Sequence, residues 1–224
     1  DKEATEVAIM SLYLKMLDDG FDKGERDLFF VKGSILPDMI NNVKCGNSLV
    51  STDFYEEKLF DDELLKKINP FNWRHEFPSV FKNGGFDVII GNPPYIRVQE
   101  LDYAFIDYCK EKYITAWKRI DISTLFIEIA NRILNENGLN GFITSNQFLS
   151  TEYGRKMRQF LLEKAQIIKM INFGDLPIFQ GALTYVSIFI LSKGITEKFN
   201  YYKVENLEQD IDEIEAIEIS SNSL

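Results

Sequence analysis

Histidine and cysteine are almost missing from this chain: one His, at position 75, and two Cys, at 45 and 109, among 224 residues. A zinc site needs several nitrogen or sulfur ligands at short spacing, and a disulfide framework needs recurrent cysteines, so neither a metal centre nor a stapled secreted scaffold is expected. Long apolar runs are missing as well. No stretch approaches the ~20 residues that cross a bilayer. The opening DKEATEVAIMSLYLKML has an acidic lead rather than the basic lead of an export signal. These absences exclude a membrane partner and suit a reducing cytoplasm. Positive charge is also scarce, with 25 Lys and Arg against 35 Asp and Glu and a net charge of -10. Taken alone, that balance disfavours nucleic-acid binding, because phosphate contacts need cations. The distribution changes the picture, because seven of the acids lie in residues 204–224, a segment with no Lys or Arg. The bases gather at Lys110, Lys112, Lys118 and Arg119 and again at Arg155, Lys156 and Arg158. Each cluster is either a solvated helix face or a contact for an acidic partner.

With 45% hydrophobic residues, the chain can bury a sizeable core. Apolar spacing predicts a helix over 4–17, closed by Asp18, Asp19 and Gly20, then a mixed Gly, Pro and charged stretch over 21–41. NVKCGNSL has the pattern of a short strand ending in a turn, and an insertion runs on to about Gly85. Phe86 to Ile90 form a continuous β-prone run of the kind buried on both faces of a parallel sheet, and Gly91, Pro93 and Pro94 stop it. Asp121 or Ser123 can cap a helix whose apolar residues recur at three and four until Gly138. GFITSN is a strand, 152–164 a helix, QIIKMINF a strand, Gly174 to Gly181 a loop and TYVSIFILS a last strand. The alternation predicts an α/β fold, a doubly wound Rossmann-like sheet with an antiparallel last strand at one edge. The expected division is a domain over 1–195 followed by an acidic tail, or the start of another region, over 196–224.

Ligands in such sheets bind beyond the carboxyl ends of the strands, where Asn92, Pro93, Pro94 and Tyr95 stand. Two prolines stiffen the backbone and remove two N–H donors, so carbonyls are presented as acceptors. The Asn92 amide oxygen and the Pro93 carbonyl can accept both hydrogens of a primary aromatic amine, such as N6 of adenine. That localises the nitrogen lone pair for attack on an electrophilic methyl. Preorganised acceptors also meet the charge that arrives on nitrogen, so no strong base is needed. Tyr95 can stack on the ring, a contact worth ~1–3 kcal/mol per base, once the base has left its helix.

The stretch FNWRHEFPSVFKNGGFDVIIGNPPYI resembles the corresponding region of gamma-class adenine-N6 DNA methyltransferases, especially those within type IIG restriction-modification enzymes. DISTLFIEIANRIL, GFITSNQFL, IIKMINFGDLPIFQGA and TYVSIFIL resemble the segments that follow in that family, in the same order, so the likeness covers most of residues 1–195. It implies S-adenosylmethionine as cofactor and double-stranded DNA as partner. Asn92, Pro93, Pro94 and Tyr95 would be the catalytic residues, with Tyr95 and Phe179 holding the flipped adenine. Asn47, where the family usually has Asp, would border the cofactor together with Phe126 and Asn92. Trp73, Arg74 and His75 have no implied catalytic role and are read as structural.

The family's glycine loop and second-strand acid have no counterpart here. The chain is therefore expected to begin inside the domain, to bind cofactor weakly by itself, to methylate nothing alone, and to dimerise or swap through a bared strand. The resemblance also places nuclease and target-recognition domains in a parent chain. Three alternatives stay open: a non-catalytic DNA-binding or assembly subunit that keeps the methyltransferase shell, a protein-glutamine N5 methyltransferase, and cytosine-N4 transfer, whose enzymes resemble Ser at position 92.

Overall fold

Six strands form one sheet in the order β1-β2-β4-β3-β5-β6, with β1 Phe86–Gly91, β2 Leu134–Ser145, β3 Ala165–Asn172, β4 Val186–Lys193, β5 Lys198–Lys203 and β6 Ile217–Ser220. This computed structural model describes residues 2–18, 39, 41–55, 62–96, 98–179 and 185–223. Most of the mixed stretch expected over 21–41, and the end of the expected Gly174 to Gly181 loop, lie outside the described residues. The chain divides into two units, residues 1–72 and 73–224.

In the first unit, α1 (Lys2–Asp18) forms as expected, but Val7, Met10, Leu12 and Leu14 are exposed rather than gathered into a buried stripe. The NVKCGNSL segment is not a strand. The Asn47 carboxamide accepts from the Leu49 amide at 3.1 Å, and Val50 N–H donates to the Asn47 carbonyl at 3.1 Å. That local turn curls the chain before a ladder can extend, and one bridge, Asn47 with Pro70, is what forms. Leu49, Val50, Phe54, Ile68 and Phe71 are the buried apolar residues around it, Ile68 closing the helix α2 (Asp62–Ile68).

The second unit opens with two short helices, α3 (Trp73–Glu76) and α4 (Pro78–Lys82), which bring Trp73, Phe77 and Phe81 onto Phe86 at ring separations of 5.8, 5.5 and 5.9 Å. Arg74 lies over Phe81 at 4.8 Å, and His75 pairs with Glu76 at the surface. These contacts suit the structural reading of Trp73 and Arg74, since they seat the start of β1.

β1 is not the doubly buried central strand expected from its composition. It pairs with β2 alone, in parallel, and Val88 and Ile90 are 63% and 83% exposed. Among the described residues it is an edge strand, and Val88 and Ile90 stand on the face opposite Ile89, which packs on the main core. β4 is antiparallel as expected, yet it lies inside the sheet between β2 and β3 instead of at an edge. β3 and β5 are parallel, and β5 and β6 antiparallel, so the sheet is mixed.

The helix α6 (Ile122–Ile133) ends five residues before Gly138, because Leu134 already pairs with Phe86. Its start is capped by Asp121, which accepts from the Ser123 amide at 2.9 Å and the Ser123 hydroxyl at 2.7 Å. With α7 (Arg155–Glu163) it covers one face of the sheet, where Ile127, Met157 and Phe160 pack on Phe142, Ile167 and Phe189. Each such buried side chain contributes roughly 1.5–3 kcal/mol. The helix α5 (Tyr103–Lys112), capped by Asp102, precedes them. Beyond residue 195 the chain does not leave the sheet as a tail. Phe199 and Tyr201 pack into the main core and carry β5 with them, while the acids of 205–215 sit in the exposed connection to β6.

Candidate functional site

Registers fix which loops share an end of the sheet. Gly91 pairs with Phe142, Ser145 with Val186, and Asn172 with Ser187. The carboxyl ends of β1, β2 and β3 and the start of β4 therefore lie together. Gly91 is required at the end of β1, since a Cβ there would lie 2.8 Å from the Phe142 ring.

At this end stands the elbow Asn92 to Tyr95. Pro93 is buried and anchors it, whereas Asn92, Pro94 and Tyr95 are exposed. Neither the Asn92 carboxamide nor the Pro93 carbonyl has a hydrogen-bond partner among the described residues. The carboxamide of the exposed Asn92 is thus left open to a donor from outside. Across from it, the loop after β3 brings Phe179 to Tyr95, with ring centroids 6.3 Å apart and planes at 61°. The Tyr95 phenol is pushed above its ordinary range by partial burial and then by the negative charge of Asp121, so the ring faces a ligand as a neutral surface.

The Phe179 loop is held by a polar network absent from the sequence-based expectations. Asn172 Oδ1 accepts from Asn146 Nδ2 at 3.0 Å, Ser187 Oγ at 3.1 Å and the Gly174 amide at 3.0 Å, while Asn172 Nδ2 donates to the Tyr201 hydroxyl at 2.8 Å. Asn146 Nδ2 also reaches Ser187 Oγ at 3.0 Å, and its backbone N–H donates to the Tyr185 carbonyl at 2.9 Å. Below this network Leu176, Ile178 and Phe179 lean on a small cluster of Ile171, Phe173, Val186 and Val204. The signal in the sequence was a polar residue ending each of two strands, SN at 145–146 and N at 172, where hydrophobic runs stop.

The expected residues fall in two groups. Asn92, Pro93, Pro94, Tyr95 and Phe179 are brought together in the second unit. Phe126, also in that unit, is half-buried against the main core, and Asn47 belongs to the first. Cys109 is buried, its thiol pushed up to about 12 by desolvation, which makes it inert. Among the described residues no group of His, Cys, Asp and Glu could hold a metal ion, and no helix is long and apolar enough to cross a membrane.

Comparison with known proteins then decides the lineage: residues 1–179 match the model of the Eco57I restriction-modification methylase family. The chain belongs to that family. Within it, the type II restriction enzyme and methyltransferase RM.Eco57I of Escherichia coli is 32% identical over 213 residues, covering 93% of this chain and 20% of the relative. The type II methyltransferase M.BanIII of Aneurinibacillus aneurinilyticus is 35% identical over 153 residues, covering 65% of this chain and 23% of the relative. The methylase chain thus spans about a fifth of the length of these relatives. Among solved structures, a nuclease-deletion mutant of the type ISP restriction-modification enzyme LlaGI, in complex with a DNA substrate mimic, has a TM-score of 0.48 at 17% identity, covering 75% of this chain and 20% of that one. The matched segment includes the whole elbow and ends on Phe179, so the family likeness and the assembled site coincide in sequence.

Proposed function

We propose that this chain is the target-base portion of a DNA adenine-N6 methyltransferase of a restriction-modification system, acting in the cytoplasm on a flipped adenine. The observation that carries the reading is an open carboxamide beside two aromatic rings at the carboxyl end of the sheet. Asn92 Oδ1 and the Pro93 carbonyl would each accept one N6 hydrogen of adenine. Tyr95 and Phe179 would hold the ring between them, with stacking worth ~1–3 kcal/mol against the cost of leaving the helix.

S-adenosylmethionine would supply an electrophilic methyl on sulfonium. Phe126 and Asn92, both in the second unit, are the residues assigned to border it. Asn47, in the first unit, already gives its oxygen to the Leu49 amide, and its remaining lone pair and its NH2 are what it could offer a ligand. The elbow's own part is to orient the N6 lone pair, to exclude water from it and to keep both hydrogens engaged while positive charge builds on nitrogen. As N6 takes up the methyl that the cofactor would supply, it would give up one of those protons to solvent, and the elbow would keep the other engaged.

The test uses the full-length parent protein. Labelled methyl incorporated into mixed-sequence duplex DNA, followed by nucleoside analysis, should yield N6-methyladenine and lose it with Asn92→Ala. Label in N4-methylcytosine, or competition by a glutamine peptide but not by duplex DNA, would overturn the assignment. A wild-type parent that binds DNA but incorporates no label would favour the non-catalytic subunit.

A further inference from the structure

Two basic clusters far apart in sequence raised opposing readings, and the contacts separate their members. Arg158 is used internally, its guanidinium donating to the carbonyls of Phe148 at 2.6 Å and Thr151 at 2.8 Å. Lys156 donates to Gln159, and Lys112 pairs with Glu111 and lies over Tyr108. Lys110 stands apart on the exposed side of α5, whereas Lys118, Arg119 and Arg155 are drawn into one place by contacts that join residues 117–119 to residues 152–155. Lys118 adopts a left-handed backbone, φ 56°, a conformation that a residue with a Cβ rarely takes. The turn it makes sends its ammonium to Glu152, 34 residues on, and over the Trp117 ring at 4.7 Å. Arg119 is exposed and carries its guanidinium over Tyr153 at 5.9 Å. Arg155, also exposed, opens α7 directly after Gly154, where a Cβ would come within 1.9 Å of the Phe148 carbonyl. That close approach presses the helix start, and Arg155 with it, onto the 147–149 turn. The Glu152 carboxyl is held low by its bond to Lys118, then by that ammonium's charge and that of Arg155, so all three groups share one neighbourhood. The turn 147–149 follows the carboxyl end of β2, the rim at which β1 also ends, so this patch and the elbow lie at the same end of the sheet.

We propose that Lys118, Arg119 and Arg155 form a phosphate-binding lip that grips the DNA backbone beside the nucleotide held by the elbow. The proposal rests on the functional reading above and adds the surface through which the duplex is held. Three cations stand with two carboxylates, Glu152 and Asp121, a local balance of one positive charge within a chain whose net charge is -10. The local excess is therefore a departure that an anionic partner would use. Trp117 and Tyr153 support the Lys118 and Arg119 side chains, which reduces the rotamer freedom lost on binding. Two arginines match the bidentate geometry of phosphate oxygens better than lysine does.

The full-length parent protein should be titrated with a short duplex over a series of salt concentrations, with and without the variants Arg119→Ala and Arg155→Ala. The slope of log K against log salt should flatten by about 0.9 for each arginine removed and by about 1.8 for both. Duplexes with and without the enzyme's site should weaken alike, because phosphate contacts carry no sequence information. Arg119→Lys with Arg155→Lys should keep the slope, which separates lost charge from lost fold. An unchanged slope in the double alanine variant, or a loss confined to the specific duplex, would overturn the lip. Asn92→Ala should keep the slope while losing the methyl product. A flattened slope in a parent that methylates nothing would leave the lip standing and remove the catalytic reading instead.

Discussion

The two loops that meet at the reactive end of the sheet are held in opposite ways. The elbow after β1 is stiff by covalent structure: two prolines, one buried, and a carboxamide with no partner among the described residues. The loop after β3 is stiff by hydrogen bonding, its first turn tied to Asn172, which in turn ties Asn146, Ser187 and Tyr201. One asparagine is saturated and the other is open. The difference separates a group tied into the framework through both its oxygen and its nitrogen from one whose polar atoms are uncommitted among the described residues.

Breaking the open side should have the largest effect on turnover. On the proposed function, Asn92→Ala in the full-length parent protein should lower methylation about 10²–10³-fold, the range for removing one preorganised hydrogen-bonding group from a reaction centre. Its melting temperature should be unchanged, because the side chain is exposed and no packing is lost. A large fall in melting temperature would show that Asn92 belongs to the framework.

Removing either aromatic wall should come next. Tyr95→Ala or Phe179→Ala should weaken the hold on the extruded base by ~1–3 kcal/mol, read as a loss of fluorescence enhancement from 2-aminopurine placed at the target position.

The saturated side should respond in stability instead. Asn172→Ala leaves several donors without an acceptor and should destabilise the chain by ~1–3 kcal/mol in urea unfolding. Methylation should fall less than with Asn92→Ala. The reverse order of effects would dissolve the contrast between the two asparagines.

The smallest change is expected from Tyr95→Phe, whose ring is kept. Because the folded phenol is harder to ionise than its ordinary value of 10.0, the folded state holds that proton where the unfolded state releases it. The wild-type stability should therefore fall as pH rises past about 10, and the Phe variant should lack that component of the loss. Below that pH the two should match in both activity and stability.

Much of this site was legible because its chemistry is local. The elbow is four consecutive residues ending a hydrophobic run, β3 and β4 follow from period and punctuation within a residue or two, and α7 within three. What escaped depends on partners distant in sequence. The burial of β1 depends on which strands flank it, so a run of Val and Ile was expected at the centre and stands at an edge. NVKCGNSL contains strand-forming residues, but the Asn47 side chain competes for its own backbone. The acidic run hid β5, whose alternate Phe199 and Tyr201 carried the strand pattern in front of the charges. Asn172 and Asn146, 26 residues apart, form one network only because β4 places Ser187 between their strands.

The reversed direction of β4 has a further consequence for how such a protein can diversify. Because β3 and β4 run opposite ways, the segment between them leaves and rejoins the framework at the same rim, as a hairpin turn does. Residues can be inserted or replaced there without shifting the register of any pair, so the rim that carries Phe179 can vary in length and shape while the scaffold beneath it is inherited unchanged.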